Sequence, residues 1–330
     1  MAPVRLGIIG CGIAARELHW PAIGQLPRKF TIPVVCNHTA PKARSFAKLV
    51  GAKEWVLDYR DVLARHDVDA VSIILPVELN AAVTRAALKA GKHVMLEKPI
   101  ATNRREAAAL VKTAEASPLV AMIAENFRYR PLFRKLRTFL DKGGVGTVHT
   151  VQWTTLGNLT PDNKYAHTMW RIQHKYPGGF VMDAGVHTIN AMRYLFGEIN
   201  SVNAHAHSVN RAIGEVDTLT MQFATERGIA GTWMSSFSCR GYSDNHLLIM
   251  GDGGTVSMRG DTIEVLPARG KPKTITGPDS WGYREEYEAF HAAIQKGTGT
   301  ETPFAEGYRD FAVILAALES SEKGRPVTPH

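Results

Sequence analysis

Apolar, β-branched runs alternate with alanine-rich segments through the first 125 residues, and this alternation restricts the fold more than any other feature of the chain. The runs are Val4–Ile9, Thr31–Cys36, Ala70–Leu75, His93–Leu96 and Leu119–Ala124. Between them lie helix-periodic stretches such as "AAVTRAALKAGKH" and "RREAAALVKTAEA". Parallel neighbours need a long crossover, and crossover helices cover the sheet, so its strands read as continuous apolar runs. Gly91 stands where a helix should end, just before "KHVML", because glycine accepts the left-handed conformation that closes many helices. The expected fold of residues 1–125 is a doubly wound, mostly parallel α/β sheet.

The pattern changes after residue 125. "TVHTVQWTTLG", "DTLTMQFAT", "GIAGTWMSSFS", "NHLLIMG", "GTVSMRG" and "TIEVLPA" read as strands, and "TERG" and "MRGD" suit hairpin turns. A long helix is expected from Gly179 to Phe196, and two more over Tyr283–Gln295 and Phe304–Ser321. Residues 126–330 therefore read as an α+β domain with a large, mostly antiparallel sheet. A crevice is expected between the two domains.

Composition narrows the classes of function. With 330 residues the chain can bury a core in each of two domains. No apolar run is long enough to cross a bilayer, and "MAPVRLGIIG" has no basic leader, so it reads as a first strand. Cys11, Cys36 and Cys239 are sparse and lack metal-ligand spacing, which suits reduced thiols in the cytoplasm. The net charge of +8 is spread along the chain rather than massed in a block, which argues against nucleic acid and favours small anionic ligands.

The loop after the first strand names such a ligand. Gly10-Cys11-Gly12-Ile13-Ala14-Ala15 fits G-x-G-x-x-A between a strand and a helix. Gly10 permits the tight turn, Gly12 lets backbone approach a pyrophosphate, and the helix N-terminus attracts the anion. Gly10, Gly12, Ile13 and Ala14 are thus expected to hold a dinucleotide. A carboxylate for the adenosine ribose is expected about 20 residues further on, yet no Asp or Glu occurs between Leu18 and Lys53. Asn37, His38, Thr39, Lys42 and Arg44 occupy that neighbourhood. Amide, hydroxyl and cationic groups favour a 2′-phosphate, so NADP is preferred to NAD. The alternative is a plain ribose read by Asn37 alone.

Two further clusters carry chemistry. "EKPI" places Glu97 and Lys98 at the end of the fifth strand, at the sheet edge where ligands bind in such folds. A half-desolvated lysine there can exchange protons near neutrality. "GGFVMDAGVHTIN" puts Asp183, His187 and Asn190 on one helix face, beside Met182, Val186 and Ile189. Gly178 and Gly179 allow close backbone approach, and a carboxylate-steadied imidazole can move a proton to or from a hydroxyl. His205 and His207 share a strand face without an evident third ligand, so a solvated face is favoured and no metal site is assigned. His167, His174, Lys164 and Tyr165 fall in a polar loop that either gates the site or only connects.

The glycine turn, "AGKHVMLEKPIA" and "GGFVMDAGVH", in that order, resemble the glucose–fructose oxidoreductase/inositol dehydrogenase (Gfo/Idh/MocA) family. The last segment fits that family's G-G-x-x-x-D-x-x-x-H. The resemblance implies a Rossmann domain and an NAD(P)-dependent oxidoreductase acting on a sugar, polyol or related cyclic hydroxy compound. It implies a catalytic set of Lys98, Asp183 and His187, in which Lys98 and His187 share proton transfer and Asp183 orients the substrate. It further places Asn126, Trp170 and Arg171 beside the cofactor, and Arg128 and Arg171 on the substrate side, where Tyr165 of the polar loop is also expected to read sugar hydroxyls. Glu97, Leu75, Pro76 and Asn80 join the cofactor contacts, although relatives commonly read Pro-Asn and then His where this chain has "LPVELNAAV". The second domain's sheet is expected to have an uncovered face, which members of this family commonly bury against another subunit, so the resemblance implies a homodimer or homotetramer. Cofactor-assisted glycoside hydrolysis or elimination, with transient oxidation, is the rival enzymatic reading. A dinucleotide-binding sensor without turnover is the rival from another class.

Overall fold

Strand β1 (Val4–Ile9) buries every residue except Arg5 and is the centre of the first sheet. β2 (Phe30–Thr31), β3 (Val34–Cys36), β4 (Glu54–Val56), β5 (Ala70–Ile73), β6 (His93–Glu97) and β7 (Ala121–Ala124) complete it in the order β4-β3-β1-β5-β6-β7, with β2 also beside β1. All pairs are parallel, as the apolar alternation requires. The expected strand Thr31–Cys36 is split at Pro33, which has no N–H to give a neighbour. Val4 pairs with Phe30 but Ile8 with Val35, so one extra residue is absorbed there as a bulge.

The computed structural model describes residues 2–277 and 280–330. It divides into one unit of Met1–Tyr129 with Ser280–Tyr308 and another of Arg130–Asp279 with Arg309–His330. The sequence-based division after residue 125 gives 280–308 to the second domain, whereas the contacts group that segment with the first. The helix Tyr283–Lys296 explains this grouping. Its Tyr287, Phe290 and Ala293 are spaced for one helix face and share a core with Leu6, Ile8, Phe30, Phe46 and Met122.

In the second unit, β8 (Val148–Leu156), β9 (Ile199–His207), β10 (Thr218–Thr225), β11 (Ala230–Ser236), β12 (Asp244–Gly251), β13 (Gly254–Arg259), β14 (Thr262–Pro267) and β15 (Lys273–Ile275) form one sheet. Its order is β15-β14-β13-β12-β8-β11-β10-β9, antiparallel except for the β8–β11 pair. The helix Gly179–Phe196 packs against β10 and β11. A Cβ on its Gly185 would meet the Trp233 ring at 2.8 Å, so helix and sheet approach too closely for any side chain there. Asn190 and Arg193 on this helix both bond the buried Asp310. Asn190 is thereby committed to the interior rather than to the face expected to carry Asp183 and His187. Among the described residues, no helix is long and apolar enough to cross a membrane.

Candidate active site

The glycine turn leaves β1 between the ends of β3 and β5. Gly10 N donates to the Cys36 carbonyl at 2.8 Å, and Ile74 N to the Ile9 carbonyl at 2.8 Å. Gly10 has φ +110°, and a Cβ there would lie 1.9 Å from the Ile74 carbonyl oxygen. Gly12 is the opposite case: it is exposed, and a Cβ would find nothing within 4 Å. One glycine is demanded by the fold and the other keeps a place open beside the first helical N–H groups. Those groups lack intrahelical acceptors, so an open flank there fits a pyrophosphate. Burial pushes the Cys11 thiol up to about 12, with Cys36 adding to it. It therefore adds no negative charge at neutral pH, and its Sγ lies 3.4 Å from the Cys36 carbonyl. Arg16 fixes the turn from behind, donating to the Cys11 and Lys42 carbonyls and lying over the Phe46 ring.

Asn37 is buried, its Oδ1 accepting from Cys11 N at 3.3 Å and its Nδ2 donating to the Thr39 carbonyl at 3.4 Å. Its side chain thus braces the glycine turn, a role with no local mark in the sequence. His38, Lys42 and Arg44 are exposed, and Thr39 opens the helix Ala40–Val50 without a side-chain cap. Asp58, which follows β4, is one of two carboxylates that, after burial, raise the Cys36 thiol to about 12, Asp61 being the other. Asp58 is itself engaged. It caps the helix Tyr59–Leu63 and pairs with Arg60, whose hydrogen bonds hold its carboxyl down to about 2.

Lys98 follows β6 and is half-buried, with a cis peptide bond to Pro99. Glu97 Oε1 lies 2.6 Å from His19 Nε2, His19 Nδ1 lies 2.9 Å from the Tyr287 hydroxyl, and that hydroxyl lies 2.9 Å from Ser72 Oγ. His19, Tyr287 and Ser72 are all buried. Leu75 and Pro76 are half-buried at the end of β5, whereas Asn80 is fully buried. Asn126, after β7, is also buried, and its Nδ2 donates to the Trp281 carbonyl at 2.6 Å. Arg128 is paired with Glu306 at 2.9 Å in the same unit.

In the second unit Arg171 gathers the expected residues. Its guanidinium lies 4.1 Å from the Trp170 ring centre and 4.9 Å from that of Tyr165, while Nε donates to Asp183 Oδ2 at 2.8 Å. Stacking suits the flat, weakly hydrated guanidinium. Asp183 is buried and His187, one helical turn further, is half-buried. Gly178 and Gly179 have φ of +84° and +48°, and a Cβ on Gly179 would press on His174 Nε2 at 3.1 Å. Asp217, fully buried, accepts from Val209 N, Asn210 N, Thr218 Oγ1 and Ser238 Oγ. It ties down the loop whose Gly214 packs on the same histidine. His19, Tyr287 and Asp217 were not anticipated. His19 and Tyr287 are 268 positions apart, Tyr287 and Ser72 215, and Asp217 and Ser238 21, beyond any local periodicity. Among the described residues, no cluster of His, Cys, Asp or Glu could hold a metal ion.

Residues 4–125 match the oxidoreductase family with an NAD-binding Rossmann fold, and residues 133–257 match the GFO/IDH/MocA C-terminal domain. The chain is 32% identical to the uncharacterized protein YMR315W of Saccharomyces cerevisiae over 98% of its own length and 97% of that protein's. It is 28% identical to levoglucosan dehydrogenase of Pseudarthrobacter phenanthrenivorans over 62% of its length and 54% of that enzyme's. An oxidoreductase of Thermotoga maritima with a solved structure superposes with a TM-score of 0.93 at 35% identity, covering 99% of this chain and 98% of that one.

Proposed function

The chain belongs to the Gfo/Idh/MocA oxidoreductase family, and on that premise we propose that it transfers hydride between NADP and a secondary hydroxyl or carbonyl of a sugar, polyol or related cyclic compound. One observation carries the reading: the glycine turn with its open Gly12 flank and the half-buried Lys98 stand on the same edge of one parallel sheet. That edge is where doubly wound folds bind ligands. Gly10, Gly12, Ile13 and Ala14 would hold the pyrophosphate. Exposed His38, Lys42 and Arg44, with the uncapped helix start at Thr39, favour a 2′-phosphate over a bare ribose. The sugar class is supported by the likeness to levoglucosan dehydrogenase.

Bound nicotinamide supplies the hydride acceptor or donor. Lys98 takes the proton that the substrate oxygen loses on oxidation and returns it on reduction. The family likeness also assigns His187 a part in proton transfer. Asp183, steadied by Arg171, orients the substrate, and the donors of Arg171 with the acceptor of Asp183 suit neighbouring hydroxyls. The exposed side of the second sheet, with Gln152, Gln222, Thr232 and Met234, is the surface assigned to a second copy of the chain. Three free cysteines, two of them buried, fit a cytoplasmic site of action.

The test is a titration with NADPH and NADH by quenching of the six tryptophans, followed by reduction of NADP with levoglucosan, glucose and inositols. Lys98→Ala should bind cofactor normally and lose about 100-fold or more in rate. A Lys98→Ala enzyme of near-normal rate would end the catalytic assignment, and tighter NADH binding would end the NADP preference.

A further inference from the structure

Asn80 stands on the helix Val77–Lys89 with no exposed surface, so it cannot touch a cofactor as the sequence suggests. Its Nδ2 instead donates to the Glu97 carbonyl at 3.1 Å and to the Pro99 carbonyl at 2.9 Å. Both neighbours are acceptors, so only the NH2 side of the amide can face them; the flipped amide would set oxygen against oxygen. These carbonyls belong to the residues on either side of Lys98. We propose that Asn80 is a positioning residue for Lys98, pinning the backbone before and after it so that the ammonium or amine emerges in one direction.

The surroundings make a fixed turn effective. Pro99 locks its own φ and restricts the residue before it, which is Lys98. The Glu97 side chain is held separately by His19, itself bonded to Tyr287. The two peptides that flank Lys98 set where its side chain starts, and one buried amide bonds both. A proton acceptor displaced by about 1 Å can lose about 100-fold in rate, so a side chain that touches neither substrate nor cofactor can still govern turnover.

The kinetic part of this inference rests on Lys98 acting as the proton acceptor, so its test has an arm that does not. Lysines of the full chain are dimethylated with 13C-formaldehyde and borohydride, and the Lys98 resonance is identified as the one missing from Lys98→Ala. In Asn80→Ala and Asn80→Asp that resonance should move toward the cluster of exposed lysines, with the other lysine signals and NADPH affinity unchanged. With the sugar turned over fastest, kcat should fall about 10- to 100-fold while KM changes by less than about threefold. Asn80→Asp sets a carboxylate against two carbonyls, so it should be the poorer enzyme at neutral pH and gain on Asn80→Ala as acid protonates it. If Asn80→Ala does not fold, Asn80→Ser, which keeps one donor, is read by the same resonance. A Lys98 signal that coincides with wild type in the folded variants overturns the proposal. An active Lys98→Ala would overturn the catalytic reading alone, leaving the resonance to decide the role of Asn80.

Discussion

Gly12→Ala separates cofactor binding from folding. Gly12 has ordinary backbone angles and an exposed position, and its added Cβ meets nothing within 4 Å. Alanine at such a compatible site usually stabilises by about 0.4–1 kcal/mol, because the unfolded chain loses freedom. The unliganded variant should therefore melt no lower than wild type, and up to about 2–3 °C higher for a chain of this size. Cofactor binding should respond the other way. The methyl group would occupy the flank where the pyrophosphate approaches the helical N–H groups. Lengthening one or two charged hydrogen bonds, worth about 1.5–3 kcal/mol each, weakens binding about 10- to 100-fold. Thermal melts of the free protein and tryptophan-quenching titrations with NADPH and NADH give both numbers from one preparation. Gly10→Ala is the contrasting control. Its φ of +110° and the 1.9 Å approach to the Ile74 oxygen put the strain in the backbone itself, so the free protein should melt well below wild type. A Gly12→Ala protein that melts normally and binds both nucleotides as tightly as wild type would show that the open flank is not the pyrophosphate seat.

Two pH-linked predictions concern buried carboxyls. Glu286 has no exposed surface and neither carboxyl oxygen has a hydrogen-bond partner, and burial, then Glu97, Glu125 and Glu285, push its pKa well up. The folded protein keeps this proton longer than the unfolded chain, so the stability it contributes is present in acid and lost as pH rises through the folded value. Wild type should lose melting temperature from about pH 5 to 8 relative to Glu286→Gln, and parallel curves would contradict this. Asp217 has the opposite sign: burial opposes ionisation, but hydrogen bonds from Ser238, Val209, Asn210 and Thr218 outweigh it and hold the carboxyl below its usual range. Asp217→Asn should lower stability by about 1.5–3 kcal/mol near neutral pH, the gap narrowing as acid protonates the wild-type residue. A gap that stays constant down to about pH 3 would refute the assignment.

The parallel sheet was legible because its signal is local. Each buried strand is a short apolar run, and Gly10 announces a turn that no other residue can make. The helix Gly179–Phe196 was readable for the same reason, with glycines at φ +84° and +92° marking its two ends. Thr31–Cys36 misled because a run of strand formers hides the lost donor at Pro33 until its register with β1 is known. The grouping of 280–308 with the first unit was invisible in a linear reading. An amphipathic helix reports that it has a buried face, and Tyr287 and Phe290 do so clearly, but nothing in the spacing says which core receives it.

The same limit applies to the site residues, and it explains which assignments changed. Sequence reading singled out the groups with chemistry of their own, namely Lys98, Asp183, His187 and Arg171, because motif spacing sets them on recognisable edges and faces; the structure places Lys98 after β6 and Arg171 against Asp183. It treated Asn37 as a cofactor contact from its spacing after the glycine turn, and Asn80 from the family resemblance. The structure turns both amides inward, one bracing the glycine turn through Cys11 N and the other bracketing Lys98. An amide has donors and acceptors but no charge, so it can be buried at modest cost wherever backbone groups satisfy it. Its sequence neighbours are the same whether it faces inward or outward. Polar residues beside a predicted ligand edge thus divide into those that meet the ligand and those that hold the ones that do. Burial separates them here: Lys98 keeps partial exposure, and Asn80 has none.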